Sequence, residues 1–266
     1  MDTPDPATPP QAVPRPPDAR PGARAPWEAL PAADRRGLSL GVVEASLRRA
    51  GRAGPPPSPG AEPPPFDTDP PAGLVTSAAV LVALYDEGGE ARTVLTRRSA
   101  ALRAHRGEVA LPGGRIDPGE GPVEAALREA AEEVALDPAS VRPAGWLDPV
   151  VTFSSTSLIL PVVGALPGRP DLVANEAEVA RVFDVALADL VADGAFHEER
   201  WRVPGRRVGG SPDGSFPVWF FEVAGETVWG ATARILYELV CLVLGVGPAA
   251  GGAGVPGVGG PHGIVG

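Results

Sequence analysis

Apolar positions in the middle of this chain recur with helical spacing. Val123, Ala126, Leu127, Ala130 and Val134 fall three or four residues apart, which places them on one face of a helix. Pro122 suits the first turn, where a missing N–H costs nothing. The pattern therefore predicts a helix over residues 122–135. Upstream, 74–84 (LVTSAAVLVAL) and 92–96 are short β-branched and apolar runs joined by an Asp-Glu-Gly-Gly turn, which predicts a hairpin. Residues 108–111 read as a short strand ending at Pro112-Gly113-Gly114. Further strands are expected at 158–166, 178–185 and 218–223, with a closing helix over 227–244. Strands outnumber helices and alternate with them irregularly. The expected class is α/β of the α+β type, with a mixed β-sheet sandwiched between helices.

Composition divides the chain. Residues 1–72 are rich in proline and polar residues and are expected to form a largely disordered arm. Within the arm, 38–49 has Leu40, Val43 and Leu47 on one face and could form a short helix. The ordered domain is expected at 73–246, followed by a flexible Gly-rich tail at 247–266. The formal net charge of −10 argues against general nucleic-acid binding, which needs a basic face. Cys241 is the only cysteine, so the chain has no intrachain disulfide and no cysteine-built zinc site. The start has no basic segment leading into an apolar run, and the most apolar late stretch, 235–247, is too short to span a bilayer and contains Glu238. A cytoplasmic setting without membrane attachment is expected, as monomer or homodimer.

The predicted central helix has a second face. Glu129, Glu132 and Glu133 stand at i, i+3 and i+4, and like charges at that spacing oppose one another by roughly 0.2–0.5 kcal/mol a pair. A solvated acidic helix would accept that cost; a divalent cation would reverse it, since Mg²⁺ prefers oxygen ligands. Gly114 to Leu136 resembles the Nudix box, G-x5-E-x7-R-E-U-x-E-E-x-G-U with U aliphatic: Gly114, Glu120, Arg128, Glu129, Glu132 and Glu133 stand at their positions. Ala135 replaces the last glycine, and Ala130 is a small version of the aliphatic residue. The resemblance implies the Nudix fold and a hydrolase using Mg²⁺ or Mn²⁺ on a nucleoside diphosphate-linked substrate. It implies Glu129 and Glu133 as main metal ligands, with Glu132 as a further ligand or a base and the Gly114 carbonyl as an additional ligand. Arg128 would pair with Glu120 and orient the loop.

Just before the box, residues 94–114 (VLTRRSAALRAHRGEVALPGG) resemble the signature of the coenzyme A pyrophosphatase branch, L-L-T-x-R-[SA]-x3-R-x3-G-x3-[FP]-P-G-G. Leu95, Thr96, Arg98, Ser99, Arg103, Gly107, Pro112, Gly113 and Gly114 match, while Val94 and Leu111 are apolar exchanges. Arginine forks bind phosphate oxygens in pairs, so Arg98, Arg103 and Arg106, with Gly113 and Gly114, are candidate substrate contacts. The same arginines could instead neutralise the glutamate helix. His105 is read as a surface residue, Glu176 and Glu178 as alternative bases, and His197, Glu198 and Glu199 as loop residues.

The resemblance implies coenzyme A or a derivative as substrate, giving 4′-phosphopantetheine and 3′,5′-ADP. A Nudix hydrolase of ADP-ribose, dinucleotides or oxidised nucleotides is the alternative. A non-catalytic Nudix-fold binding module is a second.

Overall fold

A computed structural model describes residues 11–56, 76–102, 104–152, 157–202 and 213–247. Residues 248–266 of the expected tail and most of the linker before residue 76 lie outside them, as does Arg103.

Among the described residues the first strand is a two-residue segment, β1 (Arg20–Pro21), and the first α-helix is α1 (Leu40–Arg49), capped by the Ser39 side chain accepting from the Val42 N–H. The central hairpin is made of β2 (Thr76–Glu87) and β3 (Glu90–Arg98), turning at Gly88 and Gly89 with φ of 63° and 83°. Both values lie in the left-handed region that glycine enters without a Cβ clash. Next come β4 (Val109–Ala110), β5 (Gly113–Arg115), α2 (Pro122–Val134), β6 (Arg142–Trp146), β7 (Val150–Val151), β8 (Ser157–Ala165) and β9 (Val179–Ala186). β2 runs parallel to β8 and antiparallel to β3 and β5, so the sheet is mixed. β3 carries β9 on its other edge, and β8 carries β6 and β7.

The side-chain period of two explains how one apolar run serves both faces of β2. Ala79, Leu81, Ala83 and Tyr85 pack with Ala125, Ala126, Ala130 and Val134 of α2. Val82 and Leu84 join the opposite core with Val43 and Leu47 of α1 and with α4 (Gly230–Leu244), which contributes Ile235, Leu236 and Leu239. Helices therefore cover both faces. α3 (Leu187–Leu190) is a single turn after β9.

A second sheet differs from the sequence expectation. β10 (Phe196–Trp201), β11 (Phe216–Val223) and β12 (Glu226–Trp229) form antiparallel pairs, with β1 on the edge of β10. His197, Glu198 and Glu199 are strand residues, not loop. The closing helix starts at Gly230 because 226–229 pair with β11. Short amphipathic strands of this kind take their register from a partner, which sequence periodicity alone does not identify. Likewise the Gly-Gly stretch expected to end a strand forms β5.

Residues before the expected boundary near residue 73 also pack against the domain. Trp27 is 1% exposed and stands 5.1 Å from the Phe196 ring, 6.3 Å from Phe221 and 5.6 Å from Tyr237. Arg52 accepts from the Trp146 N–H at 3.1 Å through its carbonyl and pairs with Asp148 at 2.7 Å and with Glu238 through its guanidinium. Although its composition is that of an arm, a single large aromatic ring, which buries roughly 150–250 Å², ties it to the core.

Candidate active site

β5 and α2 are joined by residues 116–121, and the junction brings the box residues together. Glu133 lies on the buried side of α2, with its side chain only 4% exposed. One carboxylate oxygen accepts from the Gly113 N–H at 3.2 Å and the other from Arg98 at 3.4 Å. Gly113 fits because β2 passes close by: a Cβ there would lie 2.6 Å from the Val80 Cα. Gly114 fits for a different reason. A Cβ there would lie 2.5 and 2.6 Å from the two carboxylate oxygens of Glu129.

Arg128 is the hub of the loop. It donates to both oxygens of Glu120, at 3.0 and 3.1 Å, to Glu129 at 3.0 Å, and to the Arg115 carbonyl at 2.9 Å. Glu120 also accepts from the Asp117 N–H at 3.1 Å, which closes the turn between β5 and α2. The Arg128 hydrogen bonds hold the Glu120 carboxyl below its ordinary value and raise the guanidinium further. Such a bidentate fork sets geometry as well as charge.

Glu132 stands further out than the other two glutamates. Its side chain is 59% exposed and, among the described residues, pairs with Arg128 at 3.6 Å, whereas those of Glu129 and Glu133 are 18% and 4% exposed. Consecutive helical residues point about 100° apart, so Glu132 and Glu133 diverge although both neighbour Glu129. The shared acidic face is thus narrower than the spacing suggests.

Burial pushes the Glu133 carboxyl up to about 7, against the Gly113 N–H and Arg98, with Glu129 and Glu178 adding to the rise. The backbone brings Glu178 into this neighbourhood. The Asn175 N–H donates to the Glu133 carbonyl at 2.9 Å, and the Ser99 N–H donates to the Glu178 carbonyl at 2.7 Å. The 173–179 segment is stapled to the end of α2 and the end of β3, and no sequence signal pointed to these contacts. Glu176 is exposed.

The basic loop contributes unequally. Arg98 turns onto Glu133, so it neutralises the acidic helix in this arrangement. Arg106 is exposed, and its side chain donates to the Leu102 carbonyl. His105 pairs with Glu108 at 2.9 Å on the surface.

Among the described residues, no three acidic side chains converge as a ready metal cage. The donors nevertheless suit a hard cation in chemistry. All are oxygens, and Glu133 is buried beside two further carboxylates, an arrangement that added positive charge would relieve. Arg98 and Arg128 occupy part of that capacity here.

Comparison with known proteins bears on the same segment. The NUDIX domain model matches residues 75–204. A Nudix hydrolase of Citrobacter koseri, named NudL and described as uncharacterized, is 41% identical over 156 residues, covering 58% of this chain and 76% of that protein. This chain belongs to the Nudix hydrolase family. The NudL protein of Cronobacter sakazakii, with the same description, is 40% identical over 165 residues, 61% of this chain and 80% of its own. A crystal structure of a Nudix hydrolase from M. smegmatis, RenU, aligns with a TM-score of 0.37 and 30% identity, over 44% of this chain and 74% of that one. Nudix hydrolases act on small nucleotide-linked substrates and generally use divalent metal ions. No helix among the described residues is long and apolar enough to cross a membrane.

Proposed function

We propose that this Nudix hydrolase cleaves the diphosphate bond of coenzyme A or a derivative, giving 4′-phosphopantetheine and 3′,5′-ADP. The observation that carries the reading is the Arg98–Glu133 pair. It joins the coenzyme A-type signature of the basic loop to the carboxylates of the Nudix helix. Arg98 is thereby positioned beside the acids, where it can exchange Glu133 for a phosphate oxygen when substrate arrives.

Glu129 and Glu133, with Glu132 and the Gly114 carbonyl, are the residues that would hold Mg²⁺ or Mn²⁺. When bound, that ion would neutralise diphosphate charge and lower the pKa of a bound water. The protein's own groups do the rest. A carboxylate, Glu132 or one of Glu176 and Glu178, takes a proton from the attacking water. Water adds to one phosphorus, the P–O–P bridge breaks, and the second phosphate leaves with the bridging oxygen. Arg98, Arg103 and Arg106 offset charge on the leaving phosphate. Arg128, through Glu120, Glu129 and the Arg115 carbonyl, keeps the loop in register with the helix.

The test is incubation of the purified full chain with coenzyme A and Mg²⁺ or Mn²⁺, with products identified by mass. Appearance of 4′-phosphopantetheine and 3′,5′-ADP, absent with chelator, is expected. Cleavage of ADP-ribose or a dinucleotide with coenzyme A left intact would overturn the substrate assignment.

A further inference from the structure

Arg234, in α4, is charged and half-buried, and its guanidinium carbon lies 5.4 Å from the centre of the Trp219 ring. Among the described residues, no carboxylate stands within ion-pairing distance of it. Other arginines of comparable or deeper burial are paired: Arg97 with Glu226 at 2.7 Å, Arg181 with Glu226 at 3.1 Å, Arg52 with Asp148 at 2.7 Å. The indole N–H of Trp219 is itself buried without a hydrogen-bond partner. A buried N–H of this kind is costly unless something accepts from it, and the guanidinium beside it has no carboxylate partner among the described residues.

Arg234 stands on α4 and Trp219 on β11 of the second sheet, and α4 meets the central sheet through Glu238. Glu238, one turn further along the same face of α4, accepts from the Asp148 N–H at 2.8 Å. β7 follows at once; Val150 pairs with Ile159 in β8, Ile159 lies beside Ala78 in β2, and Ala78 pairs with Arg115 in β5. Three strand spacings, roughly 14 Å, therefore separate β7 from the glycine strand of the active site. On the α4 side of the sheet, Val80 and Ile159 are only partly buried.

We infer that Arg234 and Trp219 bind a substrate phosphate other than the diphosphate, namely the 3′-phosphate on the nucleotide half. A guanidinium stacked on an aromatic ring keeps its in-plane N–H groups for phosphate oxygens, and the indole N–H supplies another donor. The inference rests on the coenzyme A reading and makes these two residues determinants of specificity rather than of bond cleavage.

The experiment compares the full-length protein with Arg234→Ala, Arg234→Lys and Trp219→Phe on two substrates, coenzyme A and 3′-dephospho-coenzyme A. Thermal melts with and without 3′,5′-ADP or 5′-AMP run alongside. Arg234→Ala should raise KM for coenzyme A about tenfold or more with kcat held, and leave KM for the dephospho compound unchanged. Lysine should restore part of the difference. Trp219→Phe, which keeps an aromatic ring, should lose several-fold of the same discrimination even if the alanine variant fails to fold. 3′,5′-ADP should protect the native protein and not the variants. Equal changes for both substrates, or undiminished protection of the variants, would overturn the inference. If the native protein cleaves neither substrate but 3′,5′-ADP protection is lost in the variants, the hydrolase reading fails and this site stands. If the native protein cleaves coenzyme A yet gains nothing from 3′,5′-ADP, the site fails alone.

Discussion

The carboxylate of Glu129 fills the space beside Gly114 that a side chain would need, with its two oxygens 2.5 and 2.6 Å from where a Cβ would stand. The glycine's value at this position is therefore room for an acid. Its backbone needs no left-handed conformation, so an alanine could be accommodated only by moving Glu129.

Gly114→Ala should accordingly reduce kcat by about 100-fold, the scale expected when a catalytic group moves by an ångström. Stability should fall by only about 1–3 kcal/mol, because a partly exposed carboxylate can yield. Steady-state kinetics and denaturant melts on the same samples separate the two effects; unchanged kcat would show that Glu129 has no fixed position to lose.

Glu133 should make the metal-free protein pH-sensitive. Its carboxyl sits at about 7 in the folded chain against an ordinary 4.5, so the folded state holds a proton that the unfolded state has released. Stability therefore falls as pH rises through that window, by roughly 3 kcal/mol at most. Glu133→Gln should flatten the slope between pH 5 and 7.5 and abolish turnover while the fold survives. Saturating Mg²⁺ or Mn²⁺ should also flatten it in the native protein. Melting curves across pH, with chelator or metal, check both; near-normal activity of the glutamine variant with metal would remove Glu133 from the machinery.

Arg128→Ala frees Glu120, Glu129 and the Arg115 carbonyl together. A loss of about 10- to 100-fold in kcat is expected, with a smaller rise in KM. Arg128→Lys should rescue little, because an ammonium cannot reproduce the fork to Glu120. Full rescue by lysine would mean that charge alone matters at this position.

Trp27→Ala tests whether the proline-rich beginning belongs to the fold. Removing a ring buried against Phe196, Phe221 and Tyr237 should cost about 3–5 kcal/mol in urea unfolding. A change below about 0.5 kcal/mol would return residues 11–56 to the status of an independent arm.

The sequence by itself determined the parts whose physics is local. Helical spacing and Pro122 marked α2, Gly88-Gly89 marked the central hairpin, and the positions of Gly114, Glu120, Arg128, Glu129, Glu132 and Glu133 carried the family resemblance. Tertiary structure alone decided which of the three glutamates is buried, since helix orientation against β5 turns Glu133 inward and Glu132 outward. It also decided that Trp27 docks into the core, that 226–229 pair with β11, and that the 173–179 segment meets the end of α2. Each of these depends on partners far away in the chain, and contacts of that kind leave no periodicity in the segments that make them.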